Sequence, residues 1–499
     1  MRTPTRFAVA IGAAALAVAL PIPASAQGQS SAAQPTSTTK PAPTTTAADE
    51  KARRIASMAE PPPLPADFPV PSGSDPDAVY ALKSNCIGSL SQGTTDLKNK
   101  PWGQSQLRFD DLHQFATGKG VLVAVIDTGV RAHPYFGGRV QPGGDFVVKD
   151  KQGLEDCDGH GTEVAGIIAA NPPASSDIGF RGIAPEARIL TIRQSSANYK
   201  GNRVTAARPE GEELQAGTLE TLAKAVVLAA DQGARVINMS VDNCRAVAEG
   251  PISLAEKQLQ AALRYAYEQK DVVLVASAGN TGEKGCPDQR NGIDPYKPTH
   301  IVTPPWFADY VISVAAMSRN GDPASFSVQG PWVTVAAPGT DIISLDPATD
   351  GLANLQVLNN GDQTSIQGTS FAAPYVAGLA ALIRERFPNL KASQVADRIK
   401  LTASHPAAPG GRDNLVGHGM INPIGALTTL IPGEQGVADD AALDVKAVLP
   451  APEIKNWAPT QVALIGSAGG VLLLLLTLFV VHTARRNRHG AQREARGSA

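Results

Sequence analysis

The 499-residue chain predicts an α/β domain built on a mostly parallel sheet, followed by one C-terminal transmembrane helix. Three patterns carry that expectation. Short Val/Ile/Leu runs end in turn residues, and longer stretches with helical spacing lie between them. One uncharged apolar stretch near the end, residues 462–481, is long enough to cross a bilayer.

Taken in chain order, Val121-Leu-Val-Ala-Val-Ile-Asp127 is the first apolar run, and it ends in an acid. Further runs are Arg188-Ile-Leu-Thr-Ile192, Val236-Ile-Asn-Met-Ser-Val241, Val272-Val-Leu-Val-Ala276, Val311-Ile-Ser-Val-Ala315 and Trp332-Val-Thr-Val-Ala336. Near-continuous branched residues fit strands covered on both faces. Helical patterns occupy 219–232 and 254–269, and a third opens at the serine of Gly368-Thr-Ser370-Phe-Ala-Ala-Pro374 and stops at Pro388. Residues 195–217 are polar and charged with no strong apolar period, so a long loop is expected there.

The ends of the chain indicate where it works. Residues 1–26 carry Arg2 and Arg6 ahead of an Ala/Val-rich stretch and an Ala24-Ser-Ala26 site, the pattern of a secretory signal peptide. Residues 27–62 are rich in Ser, Thr, Pro and Ala, and read as a disordered linker. An N-terminal extension (63–113) precedes the main domain (114–431). A stalk (432–460) then leads to the transmembrane helix (461–482) and a tail (483–499) holding Arg485, Arg486, Arg488, Arg493 and Arg496. Arginines clustered beside a span stay cytoplasmic, which places the main domain outside the cytoplasm, on a lipid bilayer. A net charge of −2 with 18% charged residues gives no footprint for nucleic acid.

Four short segments carry chemistry. Asp127 ends the first run; His160 sits in Asp158-Gly-His-Gly-Thr-Glu-Val-Ala-Gly166; Asn280 ends Ala276-Ser-Ala-Gly-Asn280; Ser370 opens a helix. A serine hydroxyl needs an imidazole to take its proton, and an acid to fix that imidazole's tautomer. A side-chain amide and the backbone N–H of Ser370 can receive the oxyanion. His418 also lies between glycines, but it lacks the acid before it and the helix start after it, and reads as a loop residue. Acyl transfer through serine requires no metal or cofactor, and no Cys-x-x-Cys spacing marks a metal site.

These segments, in the order Asp, His, Asn, Ser, resemble those of the subtilisin-like serine proteases over roughly residues 105–430. The resemblance implies a three-layer subtilisin-like domain. It also implies Asp127, His160 and Ser370 as catalytic triad, with Asn280 in the oxyanion hole. Four cysteines in an exported chain allow three pairings. The expected one joins Cys86 to Cys157, stapling the extension near His160, and Cys244 to Cys286, tying two loops beside the groove. The stretch before the core is too short for a large folded prodomain, so the extension is expected to wrap the core and stay attached. Where broad-specificity relatives carry glycine on the groove-edge strand, this chain has Asn238-Met-Ser-Val-Asp242-Asn-Cys244, which should narrow the groove.

The whole layout resembles the mycosins, membrane-anchored subtilases of actinobacterial type VII secretion systems. That resemblance implies a protein substrate exported by the secretion system, and partners among the membrane components of the type VII complex.

Overall fold

The structure, a computed structural model, describes residues 47–88, 99–205, 208–282, 286, 294, 296–357, 362–435 and 458–494. The chain divides into two units, residues 1–429 and 430–499. The first unit is organised by a seven-stranded parallel sheet. Its strands are β1 (Leu122–Asp127), β2 (Val140–Asp145), β3 (Arg188–Arg193), β4 (Val236–Met239), β5 (Val273–Ser277), β6 (Val311–Met317) and β7 (Val333–Pro338). Their spatial order is β7-β6-β5-β4-β1-β3-β2.

Alternation along the strands separates two cores. Val123, Val125, Val236, Val273, Val275, Val314 and Val335 face one side, where they meet α1 (His160–Ala169) and α4 (Thr369–Arg386). Leu122, Ala124, Ile126, Ile237, Leu274 and Ala276 face the other, beneath α2 (Leu219–Asp231) and α3 (Leu254–Arg264). Both faces are covered, which is why the strands read as unbroken apolar runs. The result is a three-layer α/β domain of subtilisin type. α2 and α3 begin as their sequences predict: Thr218 Oγ1 accepts from Thr221 N, and Ser253 with Glu256 forms a reciprocal capping pair.

Two expectations are corrected. The anticipated long loop at 195–217 is a β-hairpin, Ser196–Thr205 paired antiparallel with Arg208–Ala216. Tyr80–Leu82 adds a third strand to it. The pairing rests on a satellite cluster of Tyr80, Val147, Cys157, Tyr199 and Ala216. Those residues come from distant parts of the chain, so no local period reveals them. Of the linker expected to be disordered at 27–62, residues 47–62 are ordered. Ala47–Ala56 is helical, and Arg53 and Arg54 stack over the Tyr296 ring at 4.0 and 5.2 Å. Trp306 Nε1 then donates to Met58 O (2.9 Å), Gln260 Nε2 to Pro62 O (3.1 Å) and Arg264 Nη1 to Pro65 O (3.1 Å). The signal peptide, residues 27–46 and stalk residues 436–457 lie outside the described residues.

In the second unit the helix spans Ala458–Glu494, longer than the stretch read from sequence, with an apolar portion at Gln461–Arg486. Its leucines are exposed. Ser467, Thr477 and Thr483 turn their hydroxyls back to carbonyls four residues earlier, at 2.7, 2.7 and 2.9 Å. These three hydroxyls therefore need no water, as a hydrocarbon environment demands.

One buried ion pair braces the sheet where β1 ends. Arg193, fully buried and in register with Asp127, donates Nε to Asp145 Oδ2 at 2.8 Å. Asp145 also receives the backbone N–H groups of Val147, Val148 and Gly153. Removing one partner of such a pair leaves an uncompensated charge in the interior. Arg193→Ala is expected to lower the unfolding free energy by about 3–5 kcal/mol, whereas the joint change Arg193→Met with Asp145→Asn, which removes both charges and keeps an oxygen for the N–H groups of Val147 and Val148, costs less. Urea titration of both variants checks this; equal losses would show that the pair itself is not what matters.

Candidate active site

The strand order brings β1, β4 and β5 side by side, and their carboxyl ends open on one edge of the sheet. In an open parallel sheet this is where ligands bind. Asp127 is the last residue of β1, Asn280 lies three residues beyond β5, and His160 and Ser370 lie in the first turns of α1 and α4. His160, Asn280 and Ser370 line one open cleft of about 490 Å³. His418 does not belong to it; it lines a separate pocket with Lys400 and Arg412. Burial and those two cations push His418 down to about 4.

Asp127 is fully buried, and its Oδ1 lies 2.7 Å from His160 Nδ1. The N–H of Thr128 donates to the same oxygen at 2.8 Å. The loops bearing the two residues are knotted by Asp156. Its Oδ1 accepts from Thr128 Oγ1 (2.9 Å) and Gly159 N (2.7 Å), and its Oδ2 from Thr162 N (2.8 Å) and Thr162 Oγ1 (2.6 Å). Gly161 lets the two loops approach: a Cβ there would lie 2.0 Å from Gly129 O. Asp156 is a positioning residue that the motif reading passed over. Nothing local marks it, because its partners come from both loops.

Burial pulls the His160 pKa down, but the Asp127 carboxylate, by charge and hydrogen bond, outweighs burial and lifts it to about 9. Burial raises Glu163, one turn further along α1, well above the ordinary carboxyl range; His160 opposes that rise while Asp156, Asp346 and Asp127 add to it.

Around Ser370 the backbone has an unusual acceptor. Pro374 lies inside α4 and has no N–H to offer the carbonyl four residues earlier, which is that of Ser370. Ser240 supplies the missing donor, its Oγ lying 2.7 Å from Ser370 O. Asn238 Nδ2 in turn donates to Ser240 Oγ at 2.9 Å. Asn280 is oriented by Thr369, whose N and Oγ1 both donate to Asn280 Oδ1, at 2.9 and 3.0 Å. With its oxygen so engaged, the amide turns Nδ2 towards the cleft. A Cβ on Gly368 would sit 3.0 Å from Ser370 Oγ and 3.7 Å from Asn280 Nδ2, so hydroxyl and amide flank one small space. His160 packs its ring on that of Phe371, the residue after Ser370, with centroids 5.1 Å apart.

Two disulfides frame the cleft, Cys86–Cys157 and Cys244–Cys286. Asp158 links His160's loop to the hairpin, accepting from Ser196 Oγ, from Ala197 N (2.7 Å) and from Asn198 Nδ2 (3.0 Å). Lys83 N and Ser84 Oγ donate to the same Asn198 (2.8 and 2.6 Å), so extension, hairpin and histidine loop form one connected wall.

The model of the subtilase family matches residues 118–419. Mycosin-1 of Mycobacterium tuberculosis is 42% identical over 76% of this chain and 84% of its own length. The chain belongs to the mycosin branch of the subtilases. Mycosin-3 of the same organism is 40% identical over 86% of this chain and 93% of its own. Among solved structures, MycP1 from Mycobacterium smegmatis aligns with a TM-score of 0.67 at 38% identity, over 75% of this chain and 96% of that one. A chain of an intact ESX-5 inner membrane complex aligns with a TM-score of 0.69 at 36% identity, over 85% and 100%. The protein is therefore a subtilase-type serine protease with the fold of its mycosin relatives.

Two measurements check the site. In a pH titration followed by NMR, the His160 ring is expected to titrate well above the ordinary 6.5, and Asp127→Asn to bring it down. Because the folded value is raised, the pair stabilises the fold fully below about 6.5 and loses that contribution as pH rises through about 9. A ring titrating at or below 6.5 contradicts the coupling. Separately, Ser240→Ala leaves the Ser370 carbonyl without a donor and should cost about 1–3 kcal/mol of stability, read by thermal or urea unfolding.

Proposed function

We propose that Ser370 is the nucleophile of a membrane-anchored endopeptidase, with His160 as its base and Asp127 as the group that orients and charges that base. Asp127 bound to Nδ1 holds the other nitrogen, Nε2, as the proton acceptor on the cleft side. Ser370 Oγ attacks the carbonyl carbon of a peptide bond as its proton passes to His160. The tetrahedral oxyanion is received by Asn280 Nδ2 and the Ser370 N–H, at the positive end of the 18-residue α4. His160 then returns the proton to the leaving amine, and water releases the acyl-enzyme by the reverse exchange. The observation that carries this reading is the buried 2.7 Å contact between Asp127 and His160 at the mouth of a cleft shared with Ser370 and Asn280.

The substrate we infer is a protein exported by a type VII secretion system. Support comes from the mycosin relatives and from the alignment with a chain of the ESX-5 inner membrane complex. The apolar helix would anchor the enzyme in the membrane with its basic tail cytoplasmic and its cleft outside. Residues 1–26 would be removed on export. A second role, holding membrane components of the complex together, is favoured by the resemblance to that assembled chain.

A strain carrying Ser370→Ala separates the two roles. Terminal mapping of its secreted proteins is expected to show one or a few uncut substrates while the membrane complex still assembles. Deletion of the chain should lose both. If Ser370→Ala stops secretion as deletion does, the separate scaffolding role is wrong; if no secreted terminus changes, the substrate assignment is wrong. On a purified substrate, kcat/KM is expected to rise with pH as His160 loses its proton, over a range above 6.5. Asn280→Ala should cost about 10²–10³ in kcat.

A further inference from the structure

The root of the hairpin at 196–216 is part of the cleft. Ser195 leads into its first strand, Ala216 ends its second, and both line the cleft together with Gln215 and Gly217. Ser196 and Ala216 are partners across the ladder. A Cβ on Gly217 would lie 2.8 Å from that of Ser195, so the two stems are closely apposed there. The hairpin packs on the satellite cluster and on neither of the two main cores.

A single side chain grips that root. Asp158, two residues before His160, takes donors from three successive residues of the first strand. Its Oδ2 accepts from Ser196 Oγ, and its Oδ1 from Ala197 N (2.7 Å) and Asn198 Nδ2 (3.0 Å). Ser196 Oγ in turn accepts from Asn198 N at 3.1 Å. All three donors to Asp158 are neutral groups, so the carboxylate serves as a pair of acceptors and not as half of an ion pair. The loop that carries it is tied to the end of β1 by Asp156. A firmly held loop therefore grips a lightly packed hairpin. Asp158 is not one of the residues lining the cleft, and it acts through those that are.

Resting on the protease reading above, we propose that Asp158 is a positioning residue for the reaction. It sets the cleft wall formed by the hairpin against the loop of the catalytic base, so that a peptide in the cleft meets Ser370 and His160 in one geometry. Its role is geometric. Asparagine preserves it: the amide oxygen accepts from Ala197 N and Asn198 Nδ2, and the amide nitrogen donates to Ser196 Oγ. Alanine releases all three bonds at once.

Three variants of the full chain test this: Asp158→Ala, Asp158→Asn, and Ser196→Ala joined with Asn198→Ala. The last releases two of the same bonds from the hairpin side. Deuterium exchange follows the amides of residues 197–201. Cleavage is read on a fluorogenic peptide library, and the state of the nucleophile by the rate at which a small alkyl fluorophosphonate labels Ser370. Asp158→Ala is expected to speed hairpin exchange and to lower peptide cleavage about tenfold, since misplacing a bound chain by even 1 Å is costly. Labelling should fall much less, because the phosphonate has no chain to lay along the wall. The joined hairpin variant should reproduce that pattern, and Asp158→Asn should restore most of the peptide rate. Equal falls in cleavage and labelling, an asparagine variant as poor as alanine, or cleavage that survives Asp158→Ala overturns the proposal. Unchanged hairpin exchange overturns it whether or not any library peptide is cut. If Asp158→Ala does not fold, the joined hairpin variant decides by the same criteria. An unmodified chain that fails to label at Ser370 strikes at the protease reading, while the exchange data still judge the grip of Asp158 on the hairpin.

Discussion

The bond between the buried Asp127 carboxylate and His160 Nδ1 is the constraint on which the rest of the site depends. A lone carboxylate under a sheet edge is costly, and it is tolerated because an imidazole and a backbone N–H share its charge. The same contact decides which ring nitrogen faces the cleft. The fold serves it twice: β1 ends in Asp127, and α1 begins at His160, with Asp156 holding the two loops together by four hydrogen bonds. Neither loop could shift without breaking that knot.

The serine side is built on a different economy of backbone groups. A proline within α4 takes away a donor, and Ser240 on the neighbouring strand extension replaces it. The nucleophile's own peptide unit is thereby tied to the wall that meets the substrate. Thr369 in turn fixes the amide of Asn280. Nucleophile, oxyanion donor and groove edge consequently move together if they move at all, which is the preorganisation that acyl transfer needs.

Much of this was legible in the sequence, and for physical reasons. Strands covered on both faces must be apolar throughout, so β1, β3, β4, β5, β6 and β7 announce themselves as runs; β2, Val140-Gln-Pro-Gly-Gly-Asp145, is only partly buried and does not. The residues at Asp127, His160, Asn280 and Ser370 stood in short segments whose glycines are required by close backbone approach, as Gly161 shows. What stayed hidden depends on contacts distant in the chain. The hairpin at 196–216 is held by Tyr80 and Cys157 beneath it, and a polar sequence with no period gives no sign of either. The docking of residues 47–62 rests on Tyr296, Trp306 and Gln260, some two hundred residues away. Asp156 reads as one acid among several until its four donors are seen.

Mass spectrometry of the chain after exposure to a fluorophosphonate tests the central claim most directly. If Asp127, His160 and Ser370 act as one unit, the phosphonyl group is found on the Ser370 hydroxyl alone, and His160→Ala or Asp127→Ala suppresses its attachment by orders of magnitude. Modification of another residue, or labelling of Ser370 that proceeds equally well without the imidazole, would contradict the account.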